Sequence, residues 1–447
     1  MPELIEGPAR TTKESPGAEA PGRRRQLSLL GGTLLVDSTE ASLVSGLFPL
    51  IRQSLGVSLG ALGTLTAASK VVGVVAGPLW VMAAQRYSRK SVLVVATGLW
   101  GVWGIAAGFA QNFGQLLVLY TILAAGYAAA HPLINEIIGD LFGGATRGRA
   151  VGFVYGAVAL AAAVIAPLTG QLARVDDGWR WGLWGIGAFN VLLGLALWRW
   201  LREPAHGAAE TQLAGLDADA RAHPRLTWRR AAALLRIPSF ALLLVSRLMS
   251  GHLLITTFGI VYLVDVYGFR TQTAAVVLLP QGIGYFAGTV LGGWAADRAV
   301  RRSPRRGLTA VLQGAQFAFA LFAFLGTQLD YGSIGPYALF FGLMGLAQGV
   351  NPPVNRPMVM AVVLPELRAA AFAIYINVFE AIAWAAFGLG AGFLGDRFGL
   401  QPVFLWVLVV LMTANGLLLT ALYRTYAKDV GRVQRALDQR REGAVHG

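Results

Sequence analysis

The sequence contains no cysteine and little charge. Only 13% of its 447 residues are Asp, Glu, Lys or Arg, whereas about 25% are charged in an ordinary soluble domain. The lack of cysteine excludes disulfides, a thiol nucleophile and cysteine metal ligands. The shortage of charge, together with 55% hydrophobic residues, argues against a soluble protein. Acidic residues are especially scarce: 23 stand against 37 basic ones, which gives a net charge of +14.

Apolar residues occur in runs long enough to cross a bilayer, for which a helix needs about 20 residues. Six runs precede a polar segment and six follow it, so we predict an all-α integral membrane protein with twelve transmembrane helices in two six-helix halves. The runs cover residues 27–51, 58–84, 91–111, 114–142, 150–173, 180–201, 238–267, 272–296, 307–327, 332–363, 368–394 and 401–423.

The distribution of charge predicts the domain boundaries and the orientation. Most lysines and arginines fall in the tails, in the polar segment and in alternate loops, and cytoplasmic loops are enriched in these residues. We therefore expect both termini in the cytoplasm and the chain in the cytoplasmic membrane. The same rule accounts for the net positive charge, so we expect no nucleic-acid partner. The predicted units are a disordered cytoplasmic tail, an N-terminal half, a cytoplasmic linker, a C-terminal half and a second cytoplasmic tail, at 1–26, 27–201, 202–236, 237–423 and 424–447.

The two halves contain one similar stretch. Residues 131–153 share their plan with residues 352–374, so that Pro132 matches Pro353 and Arg147 matches Arg368. This match indicates a duplicated six-helix unit.

Two loops, after the second and the eighth apolar runs, share a motif. The later loop reads GGWAADRAVRRSPRR, with Gly293 four residues before Asp297 and Arg298 directly after it. The earlier reads VMAAQRYSRK and keeps Arg86, Arg89 and Lys90, but has Gln85 in place of the aspartate. Both resemble the G-x-x-x-D-R-x-G-R-K loop of the major facilitator superfamily. The resemblance implies that these loops gate transport, and that the contact at Gln85 is weak or replaced.

Further stretches resemble particular branches of that superfamily. Residues 40–58, the QRYSRK loop and residues 139–152 are similar to the spinster-like branch, although its polar site residues are largely absent here. The fifth run contains AAVIAPLTG (162–170), which resembles a degenerate form of a motif of proton-coupled drug exporters. Small residues at this spacing also allow simple close helix packing.

Ionisable residues inside the apolar runs are candidates for proton coupling, because charge is costly within a bilayer. The candidates are Asp37, Glu40, His131 and Glu380. An ion pair with Lys70 is the structural alternative for Glu40, and hydrogen-bonded packing is the alternative for His131. Two more carboxylates, Glu136 and Asp140, are expected to pair with Arg147 or Arg149.

The stretch NPPVNRP (351–357) is the best candidate for a substrate site. Its prolines remove backbone donors and are expected to interrupt the helix, which frees carbonyls to line a cavity. Arg356 has the planar fork that suits a carboxylate or phosphate, unless it pairs with Glu380. The other substrate-binding candidates are Tyr127, Arg247, His252, Asn351, Asn355 and Asn377.

The resemblance implies secondary active transport of a small organic solute by rocking of two halves about a midplane site. Proton coupling is expected, and no phosphate-binding loop points to ATP. The rival functions are proton-coupled export of drugs or amphiphiles, import of an organic anion, and a non-transporting membrane receptor with the same fold. No catalytic residues, cofactor or metal are expected. The expected partners are a small-molecule substrate, protons and the lipid bilayer, and a monomer is the default.

Overall fold

A computed structural model describes residues 22–57, 60–170, 172, 175–210 and 228–446. The described chain is helical, and we number its long helical segments α1 to α12. The first six are α1 (Arg23–Gly46), α2 (Gly60–Arg86), α3 (Arg89–Ala107), α4 (Phe113–Leu141), α5 (Arg147–Gly170) and α6 (Gly178–Trp200). The next four are α7 (Pro238–Tyr267), α8 (Thr271–Arg302), α9 (Gly307–Gln328) and α10 (Ile334–Gly349 with Asn351–Val362). Then α11 runs from Arg368–Phe372 through Ala373–Glu380 to Ala381–Phe398, and α12 runs from Leu400–Phe404 to Leu422–His446.

Within the described residues, nine helices are long and apolar enough to cross a membrane. The segments α1, α5 and α10 fill the remaining places in the predicted order, and the count of twelve spans stays a prediction. The observed bounds lie within a few residues of the predicted runs. The clearest difference is at the start, where α1 begins at Arg23, inside the stretch predicted to be a disordered tail. The exporter-like motif at 162–170 and the linker from 211 to 227 lie outside the described side chains.

Helices α4, α7 and α10 are each interrupted. In α10 the first piece ends at Gly349, and Pro352 lies in the first turn of the second piece, where a missing N–H costs little. In α4 the interruption follows Tyr127, and in α7 it follows Leu248. Interrupted helices expose backbone carbonyls, which are tolerated in a membrane only where other protein groups or a cavity receive them. These three helices therefore bring polar backbone to the middle of the bundle.

The halves meet through α2 and α11, through α5 and α8, and through α4 with the start of α11. Glycine permits the closest packing within the C-terminal half, where a Cβ atom at Gly284 of α8 would clash with the carbonyl oxygen of Gly342 in α10. We call the inner face the end of the bundle where α3, α5 and α11 begin. One buried apolar cluster joins both halves at this face, whereas separate clusters fill each half toward the opposite face. The halves are thus closed together at the inner face.

The last piece of α12 packs against the inner face. Its buried residues Tyr426, Val433 and Leu437 recur about one or two turns apart, which is the pattern of an amphipathic helix. Asp429 accepts a hydrogen bond from the backbone N–H of Ser239 at the start of α7, at 2.9 Å. Arg440 pairs with Glu366, just before α11. The segment predicted as the second tail is therefore a docked helix.

Candidate functional site

Arg89 is the centre of an ionic network at the inner face. Although it was expected in a loop, it opens α3 and is 1% exposed. Its guanidinium lies 2.5 Å from Oδ2 of Asp140 in α4 and 3.0 Å from Oε1 of Glu203 in the linker. Glu203 also accepts hydrogen bonds from the backbone N–H groups of Arg89 and Lys90, at 3.1 and 3.2 Å. The start of the linker is thereby bound to the N-terminal half.

Glu210 connects the two halves. Its carboxylate pairs with Arg147 at the start of α5, at 3.0 Å, and with Arg368 at the start of α11. Arg368 also reaches Asp140 at 3.2 Å. Burial raises the pKa of the Glu210 carboxyl, but the charges and hydrogen bonds of both arginines outweigh it, so its pKa lies below the ordinary value. A charged Glu210 therefore links α5 of the N-terminal half to α11 of the C-terminal half at the inner face.

The expected partners of Glu136 and Asp140 were wrong. Asp140 pairs with Arg89 and Arg368, while Glu136 lies 3.3 Å from Nε2 of His206 and 3.8 Å from Arg89. The reason is that the linker folds back and brings Glu210 to Arg147, a contact that no helical spacing reveals.

The two motif loops make different contacts. Asp297 of α8 pairs with Nε of Arg149 at 2.7 Å, at the start of α5, where the helix dipole also favours a negative charge. In the earlier loop Gln85 donates a hydrogen bond to the carbonyl of Glu366, at 3.1 Å. A neutral bond thus spans the halves there. Arg86 and Arg298 each lie over a nearby aromatic ring, Tyr87 and Trp294.

Deeper in the bundle, Arg247 of α7 pairs with Glu380 of α11, and its Nε lies 3.1 Å from Oε2. The expected pair between Arg356 and Glu380 is therefore not formed. At about 1.5 Å per residue, Arg247 lies roughly 14 Å from the inner end of its helix. Its guanidinium also faces the ring of Tyr375 at 5.7 Å. A small polar pocket beside it includes Ser246, Asn351 and Asn355 in its lining.

Arg356 of α10 is a buried cation that forms no ion pair with the described residues. It is 7% exposed, its Nε makes no hydrogen bond, and no carboxylate in the described part of the chain lies within ion-pair distance. Its guanidinium carbon instead lies 4.0 Å from the centre of the Tyr155 ring, and Nη1 lies 3.4 Å from Oδ1 of Asn355. A cation held over a tyrosine face keeps its N–H donors available for an anion.

His131 and Asn135 of α4 contact the hydroxyl group of Tyr155. Nδ1 of His131 lies 3.1 Å from the Tyr155 hydroxyl, and Nδ2 of Asn135 donates to the same hydroxyl at 2.8 Å. Of the predicted site residues, His131, Arg247, Arg356 and Glu380 thus share one region of the bundle, within electrostatic range of one another.

The other predicted substrate residues make mainly internal contacts. Asn377 donates to the carbonyl of Ala128, where α4 is interrupted, at 2.9 Å. Asn351 accepts a hydrogen bond from Gln316 at 2.7 Å. His252 is 5% exposed and faces the edge of Phe319. We infer that these contacts stabilise the helices that surround Arg247 and Arg356.

Asp37 and Glu40 form a separate buried pair within the N-terminal half. Glu40 is fully buried and accepts a hydrogen bond from Asn190 of α6 at 3.0 Å. Lys70 is exposed and lies over Trp384, so the alternative of a Glu40–Lys70 ion pair is wrong. Among the residues that the structure describes, neither oxygen of Asp37 has a hydrogen-bond partner. Tyr127, hydrogen-bonded to Tyr120, lies within electrostatic range of both carboxylates.

The described structure also contains site residues that the sequence reasoning passed over. Tyr155 was not singled out, because a tyrosine in an apolar run gives no signal of its neighbours. Glu203 and Glu210 lie in a polar linker, and its composition is that of an ordinary solvent-exposed segment, so it gives no signal of a site. For Arg368 a signal existed, because the internal repeat matches it to Arg147 and both arginines bind Glu210.

The model of the Major Facilitator Superfamily matches residues 30–388. The chain belongs to the Major Facilitator Superfamily. It is an integral membrane protein of this family, as the two motif loops predicted.

The chain is similar to three curated proteins of different names. The chain is 29% identical over 370 residues to the transcription regulatory protein OpdE of Pseudomonas aeruginosa, covering 81% of this chain and 85% of OpdE. It is 31% identical over 98 residues to the 4-hydroxybenzoate transporter PcaK of the same organism, covering 21% of each chain. It is 30% identical over 92 residues to the probable 4-methylmuconolactone transporter of Cupriavidus pinatubonensis, covering 21% of this chain and 22% of that protein.

Solved structures share the fold. The proton:xylose symporter XylE superposes with a TM-score of 0.69 at 16% identity, covering 90% of this chain and 94% of XylE. A bacterial homologue of the lysosomal transporter Spinster, in an inward-facing and unoccupied conformation, superposes with a TM-score of 0.56 at 19% identity. That match covers 93% of this chain and 98% of the homologue.

Proposed function

We propose that the protein transports a small organic anion, with aromatic carboxylates as the first class to test. The observation that carries the proposal is the charge at the centre of the bundle. Arg247 is neutralised by Glu380, but Arg356 is buried among described residues that offer it no carboxylate. Because a buried charge is costly without a partner, a substrate carboxylate is the group that would compensate it.

The relatives support this class of substrate. Two of them are named for 4-hydroxybenzoate and 4-methylmuconolactone, which are small ring compounds. The Tyr155 and Tyr375 rings beside the two guanidiniums offer faces on which a planar substrate packs.

Transport follows from the ability of the halves to separate at the inner face. In the observed state the linker and the arginines at the starts of α5 and α11 close that face, which we place in the cytoplasm. Release of these ion pairs opens the site to the cytoplasm, and their formation closes it, as alternating access requires. We propose a monomer as the working unit, since the two halves already enclose one site.

Proton coupling is assigned to the carboxylates that lack a cationic partner. Glu380 is held by Arg247, whereas Asp37 and Glu40 lie buried without an ion pair in the described structure. Protonation of either group removes a buried charge, which favours the packed state of the N-terminal half. Flux of substrate in proteoliposomes should therefore respond to an imposed pH gradient and lose this response in Asp37→Asn.

Binding of 4-hydroxybenzoate and of its uncharged amide to the purified chain tests the choice of substrate class. We expect the carboxylate to bind and the amide to bind much more weakly. Arg356→Gln should lower the affinity for the carboxylate by about 10- to 100-fold, the range of a charge-assisted hydrogen bond. The matched control is Arg305→Gln, which alters an exposed arginine. Equal affinity for both compounds, or an unchanged affinity in Arg356→Gln, contradicts the anion proposal and favours export of neutral or cationic amphiphiles.

A non-transporting receptor is the second candidate function. It is favoured by the name of OpdE, which matches most of the chain, and by the neutral Gln85 contact in place of an aspartate. Proteoliposomes that bind 4-hydroxybenzoate but show neither uptake nor counterflow would establish this alternative.

A further inference from the structure

Tyr155 of α5 lies between donors from both halves of the molecule. Its ring face receives the guanidinium of Arg356 from α10, and its hydroxyl contacts His131 of α4. The ring is 7% exposed, whereas His131 is only partly buried. The geometry of these contacts decides which nitrogen of His131 carries a proton.

A backbone carbonyl can only accept hydrogen bonds. The carbonyl of His131 lies 2.7 Å from Nδ2 of Asn135, so this end of the Asn135 amide is the NH2 group. The same NH2 group then donates to the Tyr155 oxygen. No other described residue offers an acceptor to the Tyr155 hydroxyl hydrogen, so we assign this hydrogen to Nδ1 of His131, which lies 3.1 Å away. A neutral imidazole that accepts at Nδ1 carries its proton on Nε2.

We propose that Tyr155 is a positioning residue that fixes two anion donors, Arg356 from one half and the Nε2–H group of His131 from the other. This inference rests on the proposed function. A carboxylate bound by both donors bridges the halves at the site, so substrate binding draws the halves together. A single residue thus sets both the orientation of the guanidinium, through its ring, and the tautomer of the histidine, through its hydroxyl.

Two substitutions separate these roles. Tyr155→Phe keeps the ring and removes the hydroxyl, whereas Tyr155→Leu removes both. We expect Tyr155→Phe to bind 4-hydroxybenzoate about 3- to 10-fold more weakly, the value of one hydrogen bond. Tyr155→Leu should lose up to about 30-fold more, because the cation–π contact is also lost. Tyr262→Phe removes another buried hydroxyl, one that donates to the carbonyl of Thr327. It is the control for folding and should leave binding unchanged.

A double-mutant cycle with His131→Ala tests whether the hydroxyl acts through the histidine. If it does, Tyr155→Phe added to His131→Ala causes no further loss of affinity, while each single variant binds more weakly than the wild type. Full additivity of the two losses, or wild-type affinity in Tyr155→Phe, overturns the positioning role while the anion proposal stands. A wild-type protein that binds no carboxylate overturns both.

Discussion

Removal of the Glu210 charge is expected to open the inner face. Glu210 is 13% exposed at its side chain, and its partners Arg147 and Arg368 are 3% and 1% exposed. Breaking a buried ion pair by removal of one partner costs about 3 to 5 kcal/mol. For Glu210→Gln we take a loss of about 2 kcal/mol in the stability of the closed state. The loss is smaller than for complete removal because the amide still accepts a hydrogen bond and Arg368 still pairs with Asp140. This value corresponds to roughly a 30-fold change in the ratio of closed to open molecules.

The absence of cysteine makes this shift measurable. A single Ala369→Cys substitution places a thiol beside Arg368, at a residue that is 1% exposed. When opening is fast compared with reaction, the labelling rate by a thiol reagent follows the population of open molecules. We expect labelling in inside-out vesicles to rise about 30-fold in Glu210→Gln. Glu442→Gln, the same change at an exposed site, should leave the rate unchanged.

The outcome that refutes the reasoning is a labelling rate in Glu210→Gln within about twofold of the parent protein, far below the shift expected from the lost ion pair. In that case the contact of Glu210 with the arginines does not hold the halves, and the closed inner face depends on apolar packing alone. An equal rise in both Glu210→Gln and Glu442→Gln would instead point to a general loss of folding, and would contradict the proposed latch as well.

Three further predictions follow from the same structure. The pKa of Glu210 lies below its ordinary value, so the contribution of this carboxylate to closure is present at neutral pH and is lost as the pH falls through the lowered pKa. Both proteins carry Ala369→Cys, and Glu210→Gln is expected to be labelled faster than the parent at neutral pH. This difference in labelling rate should shrink on acidification. Gly284→Ala forces a Cβ atom against the carbonyl of Gly342 and should lower the melting temperature. Gly282→Ala should not, because no atom of the described neighbouring helices lies within 4 Å of the added Cβ atom. Arg247→Ala leaves Glu380 as an unpaired buried charge and should destabilise the protein more than the double variant Arg247→Ala/Glu380→Ala, a difference that thermal unfolding measures.

The sequence predicted the order of the helices well because the bilayer imposes a simple constraint. A spanning helix needs about 20 apolar residues, so each run marks its own position along the chain. The predicted interruption at NPPVNRP is likewise present at Val350, since proline lacks a backbone donor. The beginning of α1 was missed because Arg23, Arg24 and Arg25 are polar, and hydropathy does not report a helix that extends beyond the membrane.

The pairing of charges was predicted less well. Arg356, Arg247, Glu380 and His131 were all identified as buried polar groups, but the only partner considered for Glu380 was Arg356, whereas it pairs with Arg247. Sequence gives the depth of a residue in its own helix, whereas pairing depends on the rotation of each helix and on its neighbours. Glu40 shows the same limit, because it faces Asn190 of α6 rather than Lys70 of α2.

Sequence alone determined that this protein is a helical membrane protein with a few charged residues inside its apolar runs, because hydrophobic runs and scarce polar residues are properties of the chain itself. Tertiary structure decided which charges compensate one another, that the linker closes the inner face, and that Arg356 rests on Tyr155 without a carboxylate among the described residues. These contacts join residues far apart in sequence, and their energies depend on distance and burial, which only the folded arrangement sets.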